Sequence, residues 1–589
     1  MTGMAYPRDP RQVDAEITAA LPTVPNGVPT PDPDVTAVVP RAGGSAEVTR
    51  ELWPVESAAL GAGMADDAAQ TAVHGAGLPA EVAGGETPGA PEPAGTGSVA
   101  RNSAVMAAGS LVSRLTGFLR TAAIGAAIGA AFLADDYNLA NTMPNMVYEL
   151  LLGGVLASVV VPLLVRARRQ EADGGEAYAH RLLTLTTVFL GAATVLAVLA
   201  APLLTTLLAN GRTSDTDRAL TTTLAYLLLP EIFFYGLAAV LAAVLNSRNH
   251  FAAPMWTPIL NNLIVIATAA VFIVWRTGEG PPTPHSITTG QVLLLGIGTT
   301  TGIVVQALGL WPSLRRVGFR WRWRFDWRAL HLSELGRIGG WALAYVVVSQ
   351  VGVFAVLKIA KYAGDRGGPG PAIYLNAFLI FMMVHGIVAV SIITALMPRL
   401  SAAAAEHRYA DVAAGLSLGT RLSAVLLVPA TAVYLVLGRP LAVVLFGYGA
   451  YDHHLALATG DVIAWSALGL VPFAISQLQM FTFYALPDTR TPALINVPAV
   501  ALRIAVDVAV MLAFGAGVVV SGLVVGNAVS FVLACVIGYA LLRRRIGRLG
   551  LREVAVSLGR LSLAALLAAL PTVLLVVGMT NWLGTGRSA

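Results

Sequence analysis

A chain of 589 residues that is 56% hydrophobic and only 12% charged, with a mean hydropathy of +0.70, cannot cover a soluble globule with polar surface. Its formal net charge is +5, and its single cysteine, Cys535, excludes an intramolecular disulfide. The only two lysines, Lys358 and Lys361, do not follow a glycine, which excludes a G-x-x-x-x-G-K-[ST] phosphate loop. Apolar runs of about 20 residues follow one another without the period-2 alternation of a β-barrel, so the chain reads as an all-α polytopic membrane protein.

Residues 1–100 are of a different composition. They hold 13 acidic against 4 basic residues, are rich in Pro, Gly and Ala, and lack apolar periodicity. Such a segment buries too little apolar surface to offset its ordering entropy, and it has no secretory signal. It is expected to be a disordered acidic cytoplasmic tail, or a docking tail for a partner.

From Arg101 onward about thirteen spans are expected, near 104–130, 135–165, 182–208, 219–246, 254–275, 290–312, 337–362, 371–400, 412–437, 458–486, 492–514, 517–542 and 554–580. Loops rich in arginine alternate with loops rich in acids. Arg166, Arg168, Arg169, Arg248, Arg399, Arg408, Arg490 and Arg543 to Arg545 fall on one side. Asp215, Asp217, Glu279, Asp365, Asp452 and Asp461 fall on the other. The positive-inside rule places the N-terminus in the cytoplasm.

The linker RRVGFRWRWRFDWR (315–328) interleaves basic and aromatic residues. That composition suits base stacking on nucleic acid or an interfacial anchor on anionic headgroups, and beside a membrane span the anchor is the expected use. It also divides the chain into similar halves. Pro162 and Pro398 are 236 positions apart, and Arg248 and Arg490 are 242 apart, each pair at a matching place. Matched features at one spacing predict a parallel repeat of two six-helix bundles with a substrate site between them. The expected organisation is a tail (1–100), an N-terminal bundle (101–314), an interfacial linker (315–336), a C-terminal bundle (337–545) and an additional transmembrane helix (546–589).

The stretch SRLTGFLRTAAIGAAIGAAFLADDYNLANTMPNMVYELLLGGVLASVVVP (113–162) puts charge where a spanning helix should have none. A charge near the bilayer centre costs at least about 2.5–3.5 kcal/mol, so such residues face a wet cavity or a partner. Arg114 lies roughly 15 Å into the first span at 1.5 Å per residue. Ser113, Gly117 and Arg120 share a helical face beside it. Arginine at depth suits a phosphate or carboxylate, because its planar fork binds both oxygens of one group. The competing reading is internal pairing, Arg114 with Glu149 and Arg120 with Asp135 or Asp136. Arg503 and Asp507, four apart, are expected to neutralise each other. Lys358 and Lys361 either snorkel at a helix end or face the cavity opposite Arg114. Asn376 and His385 are polar at depth and are candidate cavity lining. His453 and His454 lack a third ligand for a metal. The sequence carries no nucleophile–base constellation, so neither an enzyme nor a cofactor is expected.

The runs SRLTGFLR, DDYNLANTMPN and VVVPLL, followed by FFYGLAAVLAAVLNSRNHFAAPMWTPILNN (233–262), LGRPLAVVLFGYGAYD (437–452) and FYALPDTRTP (483–492), resemble the MurJ/MviN lipid II flippases. That family lies in the superfamily of MATE exporters and polysaccharide flippases. The resemblance covers about 100 to 580 and has an actinobacterial flavour in its composition. It implies two bundles in a MATE-like pseudo-two-fold repeat, plus extra C-terminal helix. It also implies alternating-access transfer of undecaprenyl-diphosphate-linked peptidoglycan precursor to the outer leaflet of the cell membrane. Ser113, Arg114, Arg120, Asp135, Pro144, Asn145, Gly154 and Pro162 match the family motif by position. The implied substrate-binding set is Ser113, Arg114, Arg120, Asp135, Asn145, Glu149, Lys358, Lys361, Asn376 and His385. Tyr148, Gly153 and Leu379 stand where the family usually has charged residues, and thirteen spans stand against a usual fourteen. The implied partners are the lipid-linked diphosphate, the membrane and, through the tail, cell-wall assembly proteins; no nucleic acid is implied. A MATE-like drug/cation antiporter, which favours an acidic cavity, and a non-transporting scaffold for cell-wall enzymes are the alternatives.

Overall fold

The computed structural model describes residues 96–153, 173–248, 250–276, 282–326 and 332–582, with a few positions between 164 and 171. Residues 1–95 of the expected tail and the second half of the second expected span lie outside the described residues. Among the described residues no strand forms, and twelve helices or helix pairs are long and apolar enough to cross a membrane.

The first bundle comprises α1 (Thr96–Ile128), α2 (Leu133–Tyr148), α3 (Glu176–Leu199), α4 (Ala201–Leu208), α5 (Asp215–Leu228), α6 (Glu231–Ser247), α7 (Ala252–Trp275), α8 (Thr289–Gly309) and α9 (Trp311–Arg316). The second comprises α10 (Leu332–Gly364), α11 (Pro371–Ala405), α12 (Tyr409–Phe446), α13 (His453–Ser466), α14 (Leu470–Ala485), α15 (Arg490–Ala513) and α16 (Ala516–Ile546). A last helix, α17 (Leu551–Trp582), lies along α12.

Local chemistry explains several boundaries. Pro230 has no amide hydrogen to donate, and the span over Asp215–Ser247 breaks there into α5 and α6. A 3-10 turn at Ala467–Gly469 divides the span over His453–Ala485 into α13 and α14. The α8 start is fixed by a capping box. The Thr288 hydroxyl accepts from the Gln291 amide at 3.3 Å, and the Thr288 amide donates to Gln291 Oε1 at 3.0 Å.

The two bundles pair their helices in the same way. In the first, α1 packs on α7, α7 on α8, α3 on α6 and α2 on α5. In the second, α10 packs on α15, α15 on α16, α12 on α14 and α11 on α13. The in-helix prolines follow this repeat, since Pro258 of α7 and Pro498 of α15 are 240 positions apart. Close approach within a bundle depends on small residues. A Cβ on Gly302 of α8 would lie 2.3 Å from Asn261 Oδ1 of α7, and one on Gly526 of α16 would lie 2.2 Å from Asp507 Oδ1 of α15.

The loop before α15 is held by Asp488. Its carboxylate accepts from the Thr491 amide at 2.9 Å and the Thr491 hydroxyl at 2.7 Å, and it pairs with Arg545 at the end of α16. Burial pushes this carboxyl up, but the Thr491 hydrogen bonds and the Arg545 guanidinium outweigh it and hold it below the usual carboxylate range. A depressed carboxyl pKa contributes stability that is present above the unfolded value and lost as pH falls through the folded one. Asp488→Asn is therefore expected to lower the melting temperature by about 2 °C at pH 7, the gap closing below about pH 4, as read by thermal unfolding in detergent.

Candidate functional site

The two bundles meet along a seam formed by α1, α2 and α4 on one side and α10, α11 and α12 on the other. At its acid-rich end the seam is closed by buried charge. Lys361, near the end of α10, donates from Nζ to Asp136 Oδ1 at 2.7 Å and lies 3.1 Å from Asp365. All three side chains are nearly sealed from solvent, at 5%, 1% and 6% exposure. Asp136 belongs to α2, so the pair joins the bundles. Its Oδ1 also accepts from the Thr221 hydroxyl of α5 at 3.0 Å.

Asp365 extends the tie. It accepts from Asn210 Nδ2 at 2.6 Å and from the Thr213 hydroxyl at 2.5 Å, both in the loop between α4 and α5. Asp135, beside Asp136, takes a different partner. It accepts from the Ala372 amide at 2.9 Å, at the first turn of α11, where free backbone amides and the helix dipole favour an anion. Gly370 makes room for it, since a Cβ there would lie 2.1 Å from Asp135 Oδ2. Lys358, one turn before Lys361, is exposed and donates at 2.7 Å to the Leu207 carbonyl at the end of α4. Lys361 thus does not snorkel. It lies 4% exposed inside the seam, because the turn of α10 that carries it faces α2.

A backbone contact supplements the charges. The Ala450 amide donates to the Ala126 carbonyl of α1 at 2.8 Å. Gly449 has φ +63°, and a Cβ there would lie 2.4 Å from that carbonyl oxygen. Gly449 of the FGYGAYD run therefore serves a close approach between bundles. Tyr451 follows, its hydroxyl bonded to Asn376 Nδ2 at 3.3 Å and to the Thr459 hydroxyl at 2.5 Å. Asn376 is consequently engaged in packing α11 against α13.

Arg114 lies deeper. It packs against Gly386 of α11, where a Cβ would lie 2.2 Å from its Nη1. Gly386 is 14 residues beyond Ala372, so the guanidinium sits about 21 Å from the acid-rich end at 1.5 Å per residue. Its neighbour His385 is buried against the Phe473 ring at 4.3 Å between centroids. Among the described residues no ion pair joins Arg114 to Glu149. Glu149 opens a π-helical turn, Glu149–Gly153, at the end of α2, a device frequent at functional sites. Asn145, one turn earlier, is buried with Oδ1 unbonded. Ser113 is fully buried, and its carbonyl accepts from Asn262 Nδ2 at 3.3 Å. Arg120 is partly buried on the same helix.

Sequence reasoning passed over Asn210, Thr213 and Glu231. The first two are loop residues without periodicity. Glu231 is a fully buried acid within a span, visible in the run LLLPEIFF, and it accepts from the Thr300 hydroxyl at 3.2 Å. Arg503 and Asp507 are paired at 3.7 Å, as their spacing predicts, and Arg503 also donates to the Tyr374 hydroxyl at 3.1 Å. Arg503 borders a cavity inside the second bundle, lined also by Gln350, Gln477 and Asn527.

A family model described as "Lipid II flippase MurJ" matches residues 124–586. The chain is 26% identical to a "Probable lipid II flippase MurJ" of Rhizobium meliloti (strain 1021), over 74% of this chain and 78% of that one. It is 27% identical to the "Lipid II flippase MurJ" of Burkholderia cenocepacia, over 66% and 73%. Among solved structures it is similar to "Lipid II flippase MurJ, inward closed conformation" with a TM-score of 0.63, at 18% identity over 79% and 91% of the two chains. An inward-facing MATE multidrug transporter gives 0.57 at 15% identity over 73% and 94%. These likenesses show the fold.

Removing Lys361 leaves Asp136 and Asp365 buried without a counter-charge, a change that costs about 3–5 kcal/mol for a buried pair. Lys361→Met is therefore expected to release the acid-rich end. With Cys535→Ala as background, Ala372→Cys should react with a membrane-impermeant maleimide at least about tenfold faster once Lys361 is methionine, while Lys361→Arg stays protected. Unchanged protection would assign closure to the Gly449–Tyr451 turn instead.

Proposed function

The chain belongs to the MurJ family of lipid II flippases, and we propose that its substrate's diphosphate passes along the seam between the bundles, past Arg114. The fold is that of alternating-access transporters, with a lipid-linked peptidoglycan precursor as cargo. One observation supports Arg114 as the headgroup contact. It is a guanidinium about 21 Å down the seam, opposite a glycine, with no carboxylate paired to it among the described residues. A permanent charge at that depth is expensive unless water or an anion accompanies it. A diphosphate supplies two adjacent anionic groups, which a planar fork engages at two points.

The Lys361 cluster then acts as the gate of the outer side, and alternate access requires it to part. Ser113, Arg120 and Asn145 lie on the same two helices as Arg114 and Asp135, Glu149 opens the π-helical turn after them, and all complete the proposed path, with His385 facing it from α11. Asp135, Lys358, Lys361 and Asn376 serve closure in this conformation rather than contact with cargo. The proposed domain limits are those of the sequence: bundles over 101–314 and 337–545, an interfacial linker over 315–336 and an additional helix over 546–589. The acidic tail, 1–100, is proposed to dock cell-wall assembly proteins. Transport needs no covalent step on the cargo, so no enzymatic activity is assigned.

The proposed orientation puts the arginine-rich loops and the N-terminus in the cytoplasm. Arg212→Cys and His285→Cys should label from outside intact cells, and Glu406→Cys only after permeabilisation. The reverse pattern would overturn the orientation and place the Lys361 gate inside.

Arg114→Ala is expected to insert and fold, because it removes a charge from the membrane, yet to lose flipping of labelled lipid II by at least about tenfold. Arg114→Lys should recover part of it, since a point charge cannot make the two-pronged contact. Glu149→Gln separates structure from transport. If the two residues were partners in another conformation, the double variant would restore flipping. A double variant that is well expressed and inactive assigns Arg114 to the cargo. Drug efflux without lipid II transfer in the same assay would favour the MATE-like drug/cation antiporter.

A further inference from the structure

The basic–aromatic linker forms an extended strap fastened along α3. The Arg322 amide donates to His180 Nδ1 at 3.3 Å and the Arg324 amide to the Thr184 hydroxyl at 3.1 Å. Arg181 closes the strap with an ion pair to Asp326 at 2.7 Å. The spacing is commensurate. Two extended residues advance about 6.6 Å and four helical residues about 6 Å, so the strap runs parallel to the helix. Its start is pinned by Phe319, which is buried under Arg248 at 5.0 Å from the ring centroid.

In extended chain, alternate side chains point to opposite sides. Trp321, Trp323 and Phe325 accordingly form one ladder, with ring centroids 4.6 and 6.1 Å apart. Trp323 and Phe325 remain 56% and 63% exposed. Arg320, Arg322 and Arg324 occupy the other side, all exposed, and exposed Arg315 and Arg316 adjoin them at the end of α9. The depth follows from α3. Its 24 residues span about 36 Å against a hydrocarbon core of about 30 Å, so the strap, fastened from His180 at about 6 Å to Thr184 at about 12 Å from its start, runs inward from the headgroup boundary. An exposed aromatic ladder at that level has its rings among the acyl–headgroup contacts, and the arginines reach back to the phosphate plane.

We propose that this strap is a docking surface for anionic phospholipid, with Arg320, Arg322 and Arg324 on the phosphates and Trp321, Trp323 and Phe325 seated at the acyl boundary. The charge complementarity favours lipid phosphate over a protein partner, because the arginines flank rings that lie level with the bilayer interface. Each arginine near an anionic surface contributes attraction that zwitterionic lipid does not supply.

The test uses the full chain in nanodiscs of phosphatidylcholine carrying a small, equal fraction of brominated phosphatidylglycerol or brominated phosphatidylcholine, bromine being a contact quencher of tryptophan. The strap's emission is the part lost in a Trp321→Phe, Trp323→Phe variant among the ten tryptophans. Quenching of that part is expected to be about threefold or more stronger with the brominated phosphatidylglycerol. Replacing Arg320, Arg322 and Arg324 with glutamine should abolish the preference while leaving the melting temperature and the phosphatidylcholine quenching unchanged. Equal quenching by both lipids, or a preference that survives the triple replacement, overturns the proposal. Strap emission that neither lipid quenches does so too and assigns the surface to a protein.

Discussion

The seam is tied at its acid-rich end by one ammonium shared between carboxylates from both bundles. An exposed ion pair is worth about 0–1 kcal/mol, whereas parting a buried one by removing a partner costs about 3–5 kcal/mol. Lys361, Asp136 and Asp365 belong to the second kind. Their ties run to α2, α5 and the α4–α5 loop in the first bundle and to α10 in the second, while Asp135 binds the start of α11. None of these contacts can lengthen alone without stranding a buried charge. Separation of the bundles as bodies hydrates all of them at once, which returns the desolvation cost of each group. The cluster is therefore stable when fully closed or fully wet, and poor in between. That property is what the gate proposed for this cluster requires.

Much of the architecture was legible because the bilayer dictates it. Hydropathy located the spans, and the recurrence of Pro162 with Pro398 and Arg248 with Arg490 announced the repeat that the helix pairing displays. What remained hidden was rotation about helix axes. Lys361 reads as a snorkelling residue near a helix end, and only the packing of α10 on α2 turns it inward. The competing Arg114–Glu149 pairing does not appear among the described residues for the same reason, since spacing within one helix says nothing of how α1 faces the end of α2. By contrast, Arg503 and Asp507 were predictable as a pair because both sit on one helix, where i,i+4 geometry fixes the contact. The strap lies between these cases. Its composition announced an interfacial role, but the fastening to His180 and Thr184 needed the fold.

The two half-buried arginines, Arg114 and Arg503, show how helix context sets different surroundings for one residue type. Arg503 has an acid one turn away and the Tyr374 hydroxyl beside it, so its charge is spent within its own bundle. Arg114 has a glycine opposite and Ser113, Leu115 and Gly117 around it in sequence, none of them acidic. The positions where the family usually adds charge are filled differently here. Tyr148 packs on Tyr235 with ring centroids 5.9 Å apart, Gly153 closes the π-helical turn, and Leu379 lies among the hydrophobic side chains of the seam. A path with fewer fixed cations binds a diphosphate less tightly and places more of the charge matching on each one that remains. Weak holding has an advantage in a transporter, because cargo bound tightly at mid-path would have to recover that free energy to leave. On the proposed path, a single forked cation opposite a glycine, beneath a cluster of buried charge that would part as a unit, is the arrangement offered to an anionic headgroup along the seam.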